Sequence, residues 1–337
     1  MDENVKLHEV QSGENLDKIA EKFGMSSDQL KDFHNRNCGK MEKLWFNNLI
    51  GIKQIVVPKN HGNSDNIIQE QDHLLPSHFN DAFHASFYNV TERFESIFTS
   101  NFEITYTVHI DSQQKEDQTV VLLETKNFQK NGEQPDDKMS AVALECMEAI
   151  SPIPFVMNAD CSISKIFDFP ELKNKFNARR ADLEDFYAGE IYQSYFNKFS
   201  ESLENEDYIN AQFLSSLLHQ FLFPKLDWFH KTHDWNENLY FVQGSFALNC
   251  QLNAEYFEDN EEMMESKITG RIDENCSPQE VLRGSRWEDE AEELVAGKIE
   301  IIYRTSKKTK QLISCYVNTE LIQDEEVLQK RNLKISI

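Results

Sequence analysis

A chain of 337 residues with 39% hydrophobic side chains, 24 phenylalanines among them, can bury a sizeable core, which excludes wholesale disorder. Its formal net charge of −24 is unevenly placed: residues 1–60 hold nine basic and nine acidic side chains, whereas residues 61–337 hold 25 basic and 49 acidic. Nucleic acid and anionic lipid surfaces are therefore excluded as partners of the long acidic part, while the neutral N-terminal part can approach an uncharged polymer.

The chain opens with Val5–Gln11, whose alternation predicts a short strand. Asn15 is placed to cap a helix over Leu16–Phe23, because Leu16, Ile19, Ala20 and Phe23 recur at helical spacing. Gly24 ends that helix, and Ser26 or Ser27 starts a second one running to about Arg36, with Leu30 and Phe33 inward and Asp28 in its first turn. Ile52–Val57 returns as a strand and Pro58 stops it. Residues 60–85 read as a linker, since Lys59–Asn66 is polar and turn-rich.

Beyond the linker, Phe102, Ile104, Tyr106, Val108 and Ile110 alternate with polar residues as a half-buried strand, and Val120–Thr125 is its hairpin partner. Met139–Ile150 is helical by spacing, and Pro154–Asn158 and Ser162–Phe167 form a second hairpin. Residues 169–223 turn helical, with Pro170 near the first helical position and a three-helix insertion expected. Strands follow at Leu239–Leu252, Lys267–Ile272, Lys298–Thr305 and Gln311–Leu321. The expected class is α+β: a small N-terminal βααβ module over residues 1–59, then an acidic domain over 86–337 with a mainly antiparallel sheet and helices on one face.

The run His8-Glu9-Val10-Gln11-Ser12-Gly13-Glu14-Asn15-Leu16-Asp17-Lys18-Ile19-Ala20, closed by Ile55-Val56-Val57-Pro58, resembles the LysM module, a small glycan-binding fold. The resemblance covers about residues 5–58 and implies a groove between the turn after the first strand and the loop before the last. Gly13, Glu14, Asn15 and Leu16 would form one wall and Ile50, Gly51 and Ile52 the other, with Trp45 and Phe46 as a sugar-stacking or protein-docking pair. Segment Asn37–Asn48 is longer than the family's usual loop, and Ile50-Gly51 stands where Pro-Gly is usual. The implied ligand is an N-acetylglucosamine-containing glycan such as peptidoglycan. The alternative is an intracellular adaptor or a baseplate-type part of a contractile injection or phage-tail-like assembly, with the module gripping protein and the acidic domain docking a basic surface.

Elsewhere the chain offers few reactive patterns. No apolar run reaches the roughly 18 residues of a membrane-spanning helix, and Met1–Lys6 lacks the pattern of a secretory signal, so a cytoplasmic protein is expected unless a dedicated machine exports it. Cys38, Cys146, Cys161, Cys250, Cys276 and Cys315 are dispersed and expected as reduced thiols. His230 and His233, at helical i and i+3, form the most metal-like pair, but two ligands do not close a zinc site. The acidic runs 258–262 and 288–293 are expected as solvated faces, and no phosphate-binding glycine loop is present. The expectation is a binding protein without catalytic residues, metal or cofactor.

Overall fold

A computed structural model of the chain describes residues 5–10, 14–22, 27–38, 43–44, 49, 52–58, 75, 82–115, 117–258, 262–287 and 294–337. It divides into two compact units, Met1–His73 and Leu74–Ile337.

In the first unit β1 (Val5–Glu9), α1 (Leu16–Lys22), α2 (Ser27–Asn37) and β2 (Gln54–Pro58) follow in that order. The two strands pair antiparallel, with Leu7 opposite Val56 and Glu9 opposite Gln54. The periods of helix and strand build one small core. Leu16, Ile19 and Ala20 share a face of α1 and are buried with Leu30, Leu44, Ile55 and Val57.

The second unit carries an antiparallel sheet of eleven strands among the described residues. Five come before a helical stretch: β3 (Phe87–Ser96), β4 (Thr99–Lys115), β5 (Gln118–Lys130), β6 (Ile153–Met157) and β7 (Ile163–Ile166). Six come after it: β8 (Trp235–Leu239), β9 (Leu248–Glu258), β10 (Met263–Ile272), β11 (Ala296–Ser306), β12 (Leu312–Gln323) and β13 (Glu326–Ser336). Their order is β7-β6-β5-β4-β3-β13-β12-β11-β10-β9-β8, so each half is a run of sequence neighbours and the halves join where β3 pairs β13. Helix α3 (Lys138–Ile150) links β5 to β6. Helices α4 (Phe169–Phe186), α5 (Glu190–Ser202), α6 (Glu206–Leu214) and α7 (Leu217–Leu222), then a 3-10 helix (Leu226–His230), connect the two free edges. Helix α8 (Pro278–Arg283) lies between β10 and β11, held by a capping box of Ser277 and Glu280.

Burial along the strands has period two. In β11 Ile299, Ile301 and Tyr303 are buried, and in β12 Cys315, Val317 and Leu321 are. Tyr303 donates its hydroxyl to the Phe221 carbonyl of α7 at 3.2 Å, which places that helix against this face. The connecting stretch also contacts both edge strands. Asn210 Oδ1 accepts the Ile166 N–H of β7 at 2.9 Å, and Glu237 of β8 accepts from Lys225 at 2.8 Å and Trp228 Nε1 at 3.0 Å.

Several expectations need correction. The strand expected over Leu239–Leu252 is two strands with a turn between them. Gln220 bonds both the N–H (2.8 Å) and the carbonyl (3.2 Å) of Tyr240, and Gly244 adopts φ +76°, which turns the chain. The helical insertion has four α-helices and a 3-10 turn rather than three helices, because Asn205 and Ser216 each cap a new helix. Strands β3 and β13 and helix α8 were not foreseen. Within the stretch read as linker, Leu75 and Phe83 are buried in the core of the second unit, while residues 59–74 and 76–81 lie outside the described residues.

Candidate functional site

The site expected from the sequence begins where β1 leads into α1. Asn15 Oδ1 accepts the Lys18 N–H at 2.9 Å and the Asn15 carbonyl accepts the Ile19 N–H at 3.1 Å, so Asn15 caps α1 while its side chain stays exposed. Glu14 Oε2 lies 3.1 Å from His8 Nε2, which ties the carboxylate back to β1. Leu16 is fully buried, so it belongs to the core and offers no surface to a ligand. Ile52 packs half-buried against the same core and donates its N–H to the Leu49 carbonyl at 3.1 Å. Gly13, Trp45, Phe46, Ile50 and Gly51 lie outside the described residues.

Two side chains of α2 brace this region and were not foreseen. His34 is 2% exposed, and its Nδ1 accepts the Val56 N–H of β2 at 2.9 Å, which fixes Nδ1 as the unprotonated nitrogen. Asn35 acts as a strand edge would: Oδ1 accepts the Leu44 N–H at 2.7 Å and Nδ2 donates to the Leu44 carbonyl at 2.9 Å. Val10 N–H donates to the Lys53 carbonyl at 2.9 Å, which carries the β1–β2 pairing one step beyond Glu9 and Gln54. Polar residues on a helix otherwise read for its apolar spacing were the only signal in the sequence. The exposed amide of Asn15 suits hydrogen bonding to neutral hydroxyl and acetamido groups.

In the second unit five cysteines are buried. Burial pushes the Cys146 and Cys250 thiols up to about 12 and that of Cys276 to about 11, the opposite direction from that which makes a thiolate nucleophile. Cys161, in the β6–β7 turn at φ +75°, and Cys315 are also buried and raised by that burial. His230 ends the 3-10 helix and His233 lies in the bend beyond it, so the two do not share a helical turn as expected. Among the described residues no three His, Cys, Asp or Glu side chains are placed to hold a metal ion. Residues 259–261 and 288–293 of the acidic runs lie outside the described residues. Among the described residues no helix is long and apolar enough to cross a membrane.

Comparison with known proteins bears on the first unit. The LysM domain family matches residues 8–33, from the end of β1 into α2. No curated protein sequence matches the chain. Among solved structures, a LolA superfamily protein from Nitrosomonas europaea aligns with 7% identity over 81% of this chain and 91% of its own, at a TM-score of 0.22, a likeness too slight to assign anything. The chain is thus a LysM domain-containing protein, with the residues beyond that domain assigned to no family.

Proposed function

We propose that the protein is a non-catalytic binding protein whose LysM module recognises an N-acetylglucosamine-containing glycan, with peptidoglycan as its polymer. The observation that carries this reading is the LysM match over residues 8–33, which spans the β1–α1 turn capped by Asn15. Equal numbers of acidic and basic side chains in residues 1–60 support a neutral ligand, and the bonds of His34 to Val56 and of Asn35 to Leu44 support a module that is rigid there before binding.

The test is retention of the full chain on purified peptidoglycan. Retention that soluble chitooligosaccharide competes away is the expected result. Absence of retention overturns the glycan reading and moves the module to a protein ligand, as in an adaptor or a baseplate-type part of a larger assembly.

A further inference from the structure

Two hairpin turns lie side by side at one end of the large sheet, and each carries residues that a turn does not call for. Ser96 pairs with Thr99, so Ile97 and Phe98 are the two residues that connect β3 to β4. Gln323 pairs with Glu326, so Asp324 and Glu325 connect β12 to β13. The Ile97 N–H donates to the Leu328 carbonyl at 3.2 Å, which sets the first turn against the start of β13 and hence beside the second.

Turn residues are ordinarily small or polar. Ile97 and Phe98 are neither, and they stay 53% and 60% exposed, with Val327 of β13 exposed beside them. Large apolar side chains grouped in this way mark a contact surface, as a single exposed one does not. Asp324 and Glu325 adopt φ +47° and +68°, the pattern of a type I′ turn, for which asparagine and glycine are best suited. A glutamate in the left-handed region costs backbone energy, so the turn itself gives no reason for that residue.

Between the turns and α8 runs an open groove of about 530 Å³, lined by Ile97, Phe98, Leu282 and Leu328 together with Asp324 and Glu326. A second hollow of about 340 Å³ shares Ile97 and adds Val327, Glu95, Glu320 and Lys330. The two hollows and the acidic turn hold five carboxylates, Glu95, Glu320, Asp324, Glu325 and Glu326, against two cations, Arg283 and Lys330. Lys330 lies 3.2 Å from Glu320, and Arg283 stands over the Trp287 ring, 5.7 Å from its centroid. The excess is negative and it adjoins apolar surface. A second copy of this chain, at net charge −24, would bring like charge to it. The complement is a segment with a large apolar side chain next to lysine or arginine. We propose that the two turns and the groove form a docking surface for such a basic, apolar protein segment. The surface belongs to the second unit and stands independently of glycan binding by the first.

Fluorescence anisotropy of a labelled short peptide, lysine alternating with leucine and phenylalanine, titrated with the full chain tests this. The peptide is expected to bind saturably, at least about tenfold tighter than one with serine in place of its apolar residues. Its binding should weaken as salt is raised. Phe98→Ser alters an exposed position and should weaken binding about fivefold or more. Asp324→Asn with Glu325→Gly supplies the residues the turn favours, so the hairpin is kept, and should weaken binding severalfold. Asp182→Asn with Asp185→Asn removes the same charge from exposed positions of α4 and should leave binding unchanged. No saturation, equal binding of the serine peptide, unchanged binding by Phe98→Ser, or a loss in the α4 variant as large as in the turn variant overturns the proposal. Dimerisation of the unaltered chain that Phe98→Ser abolishes also overturns it, since a second copy is then the occupant. If one variant loses its cooperative melt, the two peptides on the unaltered protein and the remaining variants decide by the same criteria.

Discussion

His84 Nε2 donates to the Leu222 carbonyl at 2.8 Å, tying the segment before β3 to the end of α7. Within α7, His219 Nδ1 lies 2.6 Å from Ser216 Oγ, and its ring is flanked by Phe155 and Phe213, each 5.2 Å away between centroids. Burial lowers both histidines from 6.5 to about 4, with the Leu222 bond opposing the shift in part for His84. The unfolded chain therefore takes up these two protons first as pH falls. Stability contributed by the neutral imidazoles is intact above pH 6.5 and is lost between 6.5 and 4, at most about 3 kcal/mol for each. Urea midpoints should fall steadily over that window, and more steeply than in a His84→Gln, His219→Gln variant. Parallel curves for the two proteins would mean that the imidazoles are not the source.

Asn35 satisfies both main-chain groups of Leu44. Asn35→Ala leaves an N–H and a carbonyl without a partner, and the module should lose about 1–3 kcal/mol. Thermal melting of residues of the first unit, followed by amide NMR signals, measures the loss. Retention on peptidoglycan should weaken with it, because Leu44 is no longer tied to α2.

Gly270 of β10 has no room for a side chain. A Cβ there would lie 2.3 Å from Leu252 Cδ2 and 2.8 Å from the Gln251 carbonyl oxygen, and the second of these is main chain that cannot swing aside. Gly270→Ala should cost about 1–3 kcal/mol through overpacking. The readout is the chemical denaturation midpoint of the second unit, and an unchanged midpoint would show that β9 and β10 can move apart freely.

Five of the six cysteines are buried, and for each of them burial raises the thiol. In native protein at pH 8, a thiol reagent should leave Cys146, Cys161, Cys250, Cys276 and Cys315 unmodified over minutes and react with all of them after denaturation. Mass mapping of the adducts tells them apart. Rapid native labelling of any one of the five would place it in a looser setting than its burial describes.

The N-terminal unit was largely legible because its signals are local. Asn15 before an apolar helical run, and Ile55 and Val57 at period two, each reveal their element without reference to distant chain. His34 and Asn35 were not legible, since their partners Val56 and Leu44 are close only in space. In the large unit the hairpins with uninterrupted alternation were read correctly. Strands β3 and β13 escaped because polar residues occupy inward positions: Glu92 in one, Gln329 and Arg331 in the other. Glu92 and Arg331 pair with each other across the two strands, so what breaks the pattern in each is an interaction visible only once the strands are side by side. The turn at Tyr240–Gly244 was hidden for a different reason, as it depends on a glutamine in α7.

The pairing of β3 with β13 shapes how this unit can assemble. Each half of the sheet can zip up from nearby segments while the protein is still being made, but the seam between them requires the first and last strands of the unit to meet. Closing so wide a loop is entropically slow, so that step is the natural bottleneck of folding. Until it occurs, two half-sheets each present a bare margin, and a chaperone or a neighbouring nascent copy has its best opportunity to intervene there.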